Sequence, residues 1–167
     1  KELVEAGLTV VSGLALGIDT AAHTAALEAE GRTVAVMGTG VDERYPRVNA
    51  PLAERIVKSG GALVSQFFPE QGPRKWNFPA RNITMSGLSL ASVVVEASET
   101  SGAKMQARVA LQHGRTVFLL RSLVEQHEWA RKYVEEGVYG SHAFAISSTA
   151  DILNLLRAEA EPVAAAS

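Results

Sequence analysis

The chain has 167 residues, 47% of them hydrophobic and 20% charged, with a mean hydropathy of +0.07, which suits one globular core and is short for two domains. Lys and Arg number 16 against 18 Asp and Glu, and the net charge of −2 excludes a chain that coats nucleic acid through bulk positive charge. The absence of cysteine excludes disulfides, thiolate metal sites and cysteine nucleophiles. No apolar run approaches the roughly 20 residues of a membrane helix, and residues 1–5 lack a signal-peptide pattern, so we expect a cytoplasmic protein without membrane contact.

Short apolar runs alternate with helical patterns along almost the whole chain. Strands are predicted over residues 8–12, 33–37, 62–66, 92–96, 116–120 and 143–147. Helices are predicted over residues 19–30, 51–59, 79–90, 102–113, 123–136 and 149–158. Several strands are rich in valine and apolar throughout, which is typical of strands covered by helices on both faces. We therefore predict an α/β, Rossmann-like three-layer domain with a mainly parallel sheet over residues 1–157, and a disordered tail over residues 158–167.

The start of the chain departs from the usual order of such domains. Residues 1–7 look like the end of an amphipathic helix that leads into the first predicted strand. An α/β sheet normally opens with a strand before its first helix, so we expect the sheet to lack its first strand. A missing neighbour would leave a sheet edge free to pair with another chain.

Local signals mark several helix ends. Gly114 follows the helix over residues 102–113, where a C′ glycine is expected. Ser148 and Asp151 have the spacing of a capping box at the start of the last helix. Asn49 precedes Pro51 at the start of the predicted helix 51–59.

Ligands of open parallel sheets bind beyond the carboxyl ends of the strands, so the loops after strands are the candidate sites. The first loop runs from Ser12 to Asp19 and contains Gly13 and Gly17. Backbone N–H groups at the start of the next helix attract a phosphate, and glycine lets it approach closely. The spacing fits neither the dinucleotide fingerprint nor a P-loop, and a tight turn is the alternative. Because Asp19 would compete with a phosphate, we expect it to organise the loop.

The second loop follows residues 33–37 and again begins with two glycines, Gly38 and Gly40. Arg44 and Arg47 lie further along the same loop and are suited to charge-assisted contacts with phosphate. In the alternative, Arg44 forms an ion pair on the surface with one of the acidic residues at positions 42–43.

The third stretch is the most informative. Between residues 71 and 95 there are three basic residues, Arg74, Lys75 and Arg81, and no acidic one. Trp76 and Phe78 alternate with these cations. Cations beside aromatic faces are what a groove for single-stranded nucleic acid requires, because phosphates are neutralised while bases stack. In the alternative, the two aromatic side chains close the loop onto the core.

The fourth loop contains Glu96 at a strand end and the pair Ser101 and Gly102 at a helix start. We expect Glu96 to organise its loop, since the sequence places no second carboxylate or histidine beside it. Ser101 and Gly102 have N–H groups suited to an anion. The histidines, at positions 23, 113, 127 and 142, lack metal-type spacing. We therefore predict no catalytic residues, no metal and no cofactor.

Taken together, these motifs resemble the DprA/Smf family of DNA-processing proteins. The matching stretches are Ser12–His23, Met37–Asp42, Arg44–Pro46 with Asn49, Ala62–Gln66, Asn77–Asn82, Ser86–Ser89, Val94–Ala97 and Ser101–Gly102. They follow the family's order and spacing over roughly residues 1–120. The resemblance implies a single-stranded DNA-binding protein without catalytic turnover. It also implies a role in natural transformation, a homodimer and contact with a RecA-type recombinase.

The resemblance also assigns residues. It implies that the loop from Ser12 to Asp19 lines a phosphate pocket, that Lys75, Phe78 and Arg81 contact the DNA, and that Arg44 lies at the rim. The residues expected to bind nucleic acid or phosphate are Ser12, Gly13, Ala15, Gly17, Ile18, Gly38, Gly40, Arg44, Lys75, Phe78, Arg81, Asn82, Ser101 and Gly102.

The chain departs from the family pattern at several positions. Gln66 stands where the family has Glu, Ile83 where it has Arg, and residues 103–106 and the last third also differ. Two other functions stay open. One is a nucleotide or nucleotide-derivative binder similar to the phosphoribohydrolases, although their Pro-Gly-Gly-x-Gly-Thr-x-x-Glu run is absent. The other is a domain that only mediates interactions.

Overall fold

The computed structural model describes residues 1–160, and the strands alternate with helices as the sequence predicts. The elements are α1 (Glu2–Glu5), β1 (Val10–Ser12), α2 (Ile18–Glu28), β2 (Thr33–Val36), a 3-10 turn (Arg47–Asn49), α3 (Ala50–Lys58), β3 (Ala62–Val64), α4 (Asn77–Leu88), β4 (Ala91–Val94), α5 (Gly102–Gln112), β5 (Thr116–Leu120), α6 (Arg121–Gln126), α7 (Glu128–Glu135), β6 (Ala143–Ile146) and α8 (Thr149–Ala160). No helix within residues 1–160 is long and apolar enough to cross a membrane.

Within residues 1–160, the strands form two parallel sheets of three strands each. The first has the order β1-β2-β3 and the second β4-β5-β6, so each strand pairs with its neighbour in sequence. The α/β class and the parallel pairing are confirmed, but the single sheet of the prediction is divided in two. Within the described residues, β1 pairs only with β2 and β4 only with β5, which leaves one edge of each unpaired.

Three clusters of buried side chains form the core. The first sheet packs through Ala35 against Leu52, Ala53 and Ile56 of α3. In the second sheet, one face packs on α5 and α7, and the opposite face of β5 and β6 on α8. Leu3 of α1, the helix that leads into the first sheet, packs against this last cluster. Burial of a large apolar side chain stabilises a fold by about 1.5–3 kcal/mol, so these contacts hold α1 against the second sheet.

One predicted helix is wrong in detail. The segment predicted as a helix over residues 123–136 is divided into α6 and α7, because His127 has an extended backbone with φ −125° and ψ 126°. The break redirects the chain so that Trp129, Ala130 and Tyr133 of α7 join Leu123 of α6 in one core cluster. A single helix pattern in the sequence does not reveal this change of direction.

The predicted helix ends are confirmed in part. Gly114 follows α5 with φ +65°, and its N–H donates to the carbonyl of Leu111. At α8, the Asp151 carboxylate accepts the N–H groups of Ser147 and Ser148 at 2.8 and 3.0 Å, which lowers the pKa of Asp151. Residues 158–160, predicted as tail, belong to α8, and the remaining tail residues, 161–167, lie outside the described residues.

Candidate nucleic-acid interface

Helix α4 turns its polar side chains inward, towards the carboxyl ends of the strands. Asn77, Arg81, Asn82 and Ser86 are its buried residues. Helices of globular proteins usually bury an apolar stripe and expose polar residues, so α4 has the reverse arrangement. Buried polar groups require hydrogen-bond partners, and the partners of this face are main-chain groups of three different loops.

Arg81 joins the ends of β1 and β2. Its Nη1 donates to the carbonyl of Gly13 at 2.6 Å and to that of Val36 at 2.8 Å, and its Nε donates to Oδ1 of Asn82 at 3.0 Å. Arg81 is 8% exposed, and burial lowers the pKa of its guanidinium. No carboxylate within the described residues forms an ion pair with it. Arg81 therefore supports the two loops from the interior of the protein. Its contact with bound DNA stays a prediction.

Two asparagines extend these connections. Asn77 is fully buried, and its Nδ2 donates to the carbonyl of Gly38 at 2.8 Å. The Nδ2 of Asn82 donates to the carbonyl of Gly102 at 3.2 Å. One face of α4 thus connects the loops that follow β1, β2 and β4. Five predicted site residues meet here, namely Gly13, Gly38, Arg81, Asn82 and Gly102.

Packing requires glycine at three positions of the first two loops, 13, 38 and 40. A Cβ at Gly13 would overlap the guanidinium of Arg81. A Cβ at Gly38 would lie 2.7 Å from Cδ1 of Phe78, and one at Gly40 would overlap the main-chain oxygens of residues 68–69. The sequence predicts that these glycines admit a ligand. In the structure, the space beside them is filled by other parts of the protein.

The loop from Ser12 to Asp19 is organised by its last residue, as predicted. The Asp19 carboxylate accepts the hydroxyl of Ser12 at 2.5 Å and the N–H of Ala15 at 3.0 Å. Gly17 has φ +84°, and α2 begins at Ile18 without a side-chain cap. The N–H of Ala15 is therefore occupied by a carboxylate, whereas the N–H groups of the first turn of α2 have no side-chain acceptor in the described part of the chain.

Asn49 has a role that the sequence did not show. It precedes α3 as predicted, but its side chain forms no cap. Instead, its buried Nδ2 donates to the carbonyl of Leu14 and to Oγ1 of Thr20, both at 2.9 Å. Asn49 therefore holds the first loop from the side opposite Asp19. A helix-start signal is the only pattern at this position, so nothing local predicts the contact across 35 residues.

The cations of the second loop are unpaired. Arg44 forms no ion pair with residues 42–43 or with any other described residue, and its Nη1 is buried without a hydrogen-bond partner. Arg47 is exposed. A buried donor without a protein partner is uncommon and leaves its acceptor to be supplied by water or by a ligand.

The two aromatic residues of the third stretch differ in their exposure to solvent. Trp76 is 64% exposed, and the guanidinium carbon of Arg74 lies 5.6 Å from its ring centroid. Lys75 is exposed beside it. Phe78 is half-buried, with its ring 6.0 Å from that of Tyr45. Trp76 therefore does not close the loop onto the core, and it is the better placed of the two for stacking with a ligand.

The fourth loop differs from the expectation. Ser101 caps α5, because its Oγ accepts the N–H of Lys104 at 3.3 Å. Glu96 is exposed and forms no hydrogen bond or ion pair with any described residue, so the organising role predicted for it is wrong. Glu96 lies at the rim of a cavity of about 310 Å³. The cavity is lined by Val95, Glu96, Ala97, Ser98, Ser122, Leu123, Gln126 and His127.

These features define the class of protein. The chain is a Rossmann-like α/β domain with glycine loops at the strand ends and with exposed cations beside an exposed indole. A family model described as DNA recombination-mediator protein A matches residues 1–157. The chain belongs to this family, known as DprA or Smf.

Several relatives show the same likeness. Protein Smf of Escherichia coli is 48% identical over 120 residues, which cover 72% of this chain and 32% of that protein. DNA processing protein DprA of Bacillus subtilis is 45% identical over 118 residues, covering 71% of this chain and 39% of that protein. The chain thus spans about a third of the length of these relatives.

Two solved structures have the same fold. The X-ray structure of DprA from Streptococcus pneumoniae has a TM-score of 0.74 at 37% identity, covering 90% of this chain and 52% of that one. DprA from Helicobacter pylori has a TM-score of 0.80 at 27% identity, covering 95% of this chain and 70% of that one. The latter structure is described by its single-stranded DNA binding mode.

Proposed function

We propose that this chain binds single-stranded DNA and acts in DNA processing and recombination, as part of natural transformation. The observation that carries the proposal is the exposed group of Arg74, Lys75 and Trp76 immediately before α4, whose inner face joins the strand-end loops. The description of the Helicobacter pylori protein as a single-stranded DNA binder supports it.

Phosphates have two kinds of partner at this edge. The exposed ammonium of Lys75 and the unpaired guanidinium of Arg44 supply charge. The uncapped first turn of α2 supplies N–H groups and the positive end of a helix dipole. The net charge of −2 does not oppose phosphate binding, because binding depends on the local charge. No acidic residue lies between residues 71 and 95.

The bases have a separate partner in Trp76. A single strand has unpaired bases whose faces stack on aromatic side chains, at about 1–3 kcal/mol per base. A duplex keeps its bases stacked on one another, so the exposed indole favours single strands. Because every base has a π-face, we expect little sequence preference.

The proposal includes partners and excludes catalysis. In it the chain forms a homodimer, delivers DNA to a RecA-type recombinase, acts in the cytoplasm, and needs neither a cofactor nor a catalytic residue. The family resemblance supports these statements. The strand-end loops support binding, because side chains of α4 hold their main-chain groups in place.

Fluorescence anisotropy with a labelled oligothymidine, as a single strand and as a duplex with oligoadenosine, tests the binding. We expect the single strand to bind more tightly, with an affinity that falls as salt rises. Lys75→Ala should lower the salt slope by about one, the signature of one lost phosphate contact. Lys132→Ala on α7 is the matched control, because it removes another exposed cation, from the other half of the chain.

Equal effects of Lys75→Ala and Lys132→Ala would contradict the proposed interface. Trp76→Ala should weaken the single strand and leave the salt slope unchanged, because stacking releases no counterions. If the duplex binds as well as the single strand, the role of the indole is wrong.

The cavity beside Glu96 favours a second candidate function, binding of a nucleotide derivative. It brings an unpaired carboxylate and the imidazole of His127 to one cavity, which the sequence did not show. Carboxylates near a strand end accept ribose hydroxyls in related α/β folds. Incubation with nucleoside monophosphates, followed by measurement of free base, tests this candidate. Release of base that Glu96→Gln abolishes would support it.

A further inference from the structure

The cavity beside Glu96 lies where two neighbouring parallel strands end. Residues 95–98 follow β4, and Ser122, Leu123, Gln126 and His127 belong to α6 and the residue after it, which follow β5. This edge of a parallel sheet is the usual place of a ligand. The volume of the cavity, about 310 Å³, is at the lower end of the range of about 300–1,000 Å³ for small-molecule sites. The cavity therefore fits a single base or nucleoside better than a dinucleotide.

His127 gives the cavity an aromatic wall. Its Nδ1 lies 3.6 Å from Oε1 of Glu99, and its ring centroid lies 6.3 Å from that of Trp129. The break between α6 and α7 occurs without glycine or proline at residues 126–128, and it brings Gln126 and His127 to the same cavity. The imidazole thus has neighbours that hold it in place, and a planar base stacks on such a ring.

The remaining walls combine apolar and polar groups. Val95, Ala97 and Leu123 are apolar and suited to contact the face of a base. Glu96 is exposed, and its carboxylate has two accepting oxygens without a partner among the described residues. Gln126 has an amide that both donates and accepts. Apolar walls with a few polar groups that orient the ligand are typical of a small-molecule site.

Guanine is the base whose donors match a carboxylate. Its N1–H and its 2-amino group lie side by side and point in the same direction, so the two oxygens of Glu96 are suited to accept both at once. Its O6 lies next to N1–H and is suited to accept from the amide of Gln126. Thymine has one N–H between two carbonyl oxygens, which repel a carboxylate. Unpaired bases present these edges, whereas a duplex does not.

We infer that the cavity beside Glu96 binds a guanine base, with the Glu96 carboxylate accepting from N1–H and from the 2-amino group. The base belongs to a free nucleotide or to a bound single strand, since both present the same edge. The inference names the base for the second candidate function, and it rests on the proposed binding of single strands only where a strand supplies the base. Because Trp76 stacks with any base, a preference for guanine arises at this cavity and not at the indole.

Isothermal titration calorimetry of the unmodified chain with deoxynucleoside monophosphates tests the inference. Those of guanine and hypoxanthine differ only in the 2-amino group, which hypoxanthine lacks. A good pair of parallel hydrogen bonds to a base discriminates by about tenfold or more, so we expect the guanine nucleotide to bind about tenfold more tightly. The thymine nucleotide should bind more weakly than either.

Glu96→Gln tests the residue itself. The change keeps the size of the side chain and replaces one accepting oxygen by an amino group, so the affinity for the guanine nucleotide should fall about tenfold. The affinity for the thymine nucleotide should not fall, because the removal of a negative charge does not disfavour a phosphate. Glu125→Gln is the matched control, since it makes the same change of charge at an exposed glutamate of α6 that does not line the cavity.

Fluorescence anisotropy distinguishes the two sources of the base. A labelled oligothymidine with guanine at every fourth position is compared with the same strand carrying hypoxanthine at those positions. If the strand supplies the base, the guanine strand should bind more tightly to the unmodified chain and equally well to Glu96→Gln. If the preference occurs only among mononucleotides, a free nucleotide is the ligand.

Two results would overturn the inference. One is the absence of any preference for guanine over hypoxanthine in both the mononucleotides and the strands. The other is a preference that Glu96→Gln leaves intact, or that Glu125→Gln weakens as much. The mononucleotide titration does not depend on DNA binding, so the two proposals fail separately. A guanine nucleotide that binds without release of its base supports the inference and contradicts only the base release of the second candidate function.

Discussion

The carboxyl ends of the strands are held differently in the two halves of the molecule. At β1 and β2, side chains of α4 engage main-chain carbonyls, with Arg81 joining both strand ends. At β4, α4 engages only the start of α5, through Asn82 and the carbonyl of Gly102, and the neighbouring Glu96 has no partner among the described residues and faces a cavity. The same order of strand, loop and helix thus gives a fixed edge in one half and an open one in the other. A fixed edge is suited to binding a ligand without a chemical reaction, because the loops lose little conformational freedom when the ligand binds.

Removal of Arg81 should break the fixed edge. Arg81→Ala leaves the carbonyls of Gly13 and Val36 without their donor and creates a cavity, so we expect a loss of about 4 kcal/mol in the free energy of unfolding. Urea unfolding measures it. Lys75→Ala, on an exposed side chain, is the control and should change stability by less than about 0.5 kcal/mol. Similar stabilities of the two variants would show that Arg81 is not structural.

As the pH falls, the half of the molecule that contains β1–β3 should lose stability before the half that contains β4–β6. His23 is buried and donates from Nδ1 to Oγ1 of Thr33 at 2.7 Å, because that hydroxyl itself donates to the carbonyl of Val10. Burial lowers the pKa of His23 to about 4. Below pH 6.5 the unfolded chain therefore binds a proton that the folded chain excludes, and about 3 kcal/mol of stability should be lost by pH 4.

Asp151 of the second half has a lowered pKa, so its contribution is lost only as the pH falls below its ordinary value of 3.8. Urea unfolding at several pH values between 7.5 and 4 measures the first effect. His23→Asn places an amide N–H donor near the position of Nδ1 and does not titrate, so its stability should fall less steeply over this range. Identical slopes for the two proteins would assign the acid sensitivity to other groups.

Two glycines, one packed against the fixed edge and one on the open surface of α4, should respond in opposite directions. Gly40→Ala forces a Cβ into the main-chain oxygens of residues 68–69, so we expect a loss of about 2 kcal/mol. Gly87→Ala meets open space within a helix, so we expect a gain of about 1 kcal/mol. Thermal unfolding of both variants measures the difference. A destabilised Gly87→Ala at low protein concentration would contradict the open surface found at that position.

The smallest expected effect concerns the cap of α5, which follows the open edge. Ser101→Ala removes the acceptor for the N–H of Lys104, and a lost cap costs about 1 kcal/mol. Ser101→Asp should retain most of the stability, because a carboxylate caps equally well. Equal losses in both variants would mean that the hydroxyl acts elsewhere.

The fold was predictable because its signals are local. Short apolar runs predicted all six described strands, and Gly114 and Asp151 marked helix ends that the structure confirms. The site was less predictable, because its connections are distant in sequence. Asn49 contacts Leu14, and Asn77 contacts Gly38, which is 39 residues away. The local sequence around each asparagine does not predict its partner. Loop glycines predicted a ligand, whereas the structure fills the same space with Phe78 and Arg81.

The contact between Gly13 and Arg81 links two positions that are 68 residues apart. Any side chain at position 13 would occupy the space of the guanidinium, and any shorter residue at position 81 would leave the carbonyl of Gly13 without its donor. Neither position tolerates change alone. Over evolutionary time the two should therefore covary, so that a relative with a larger residue at the first position carries a smaller side chain at the second.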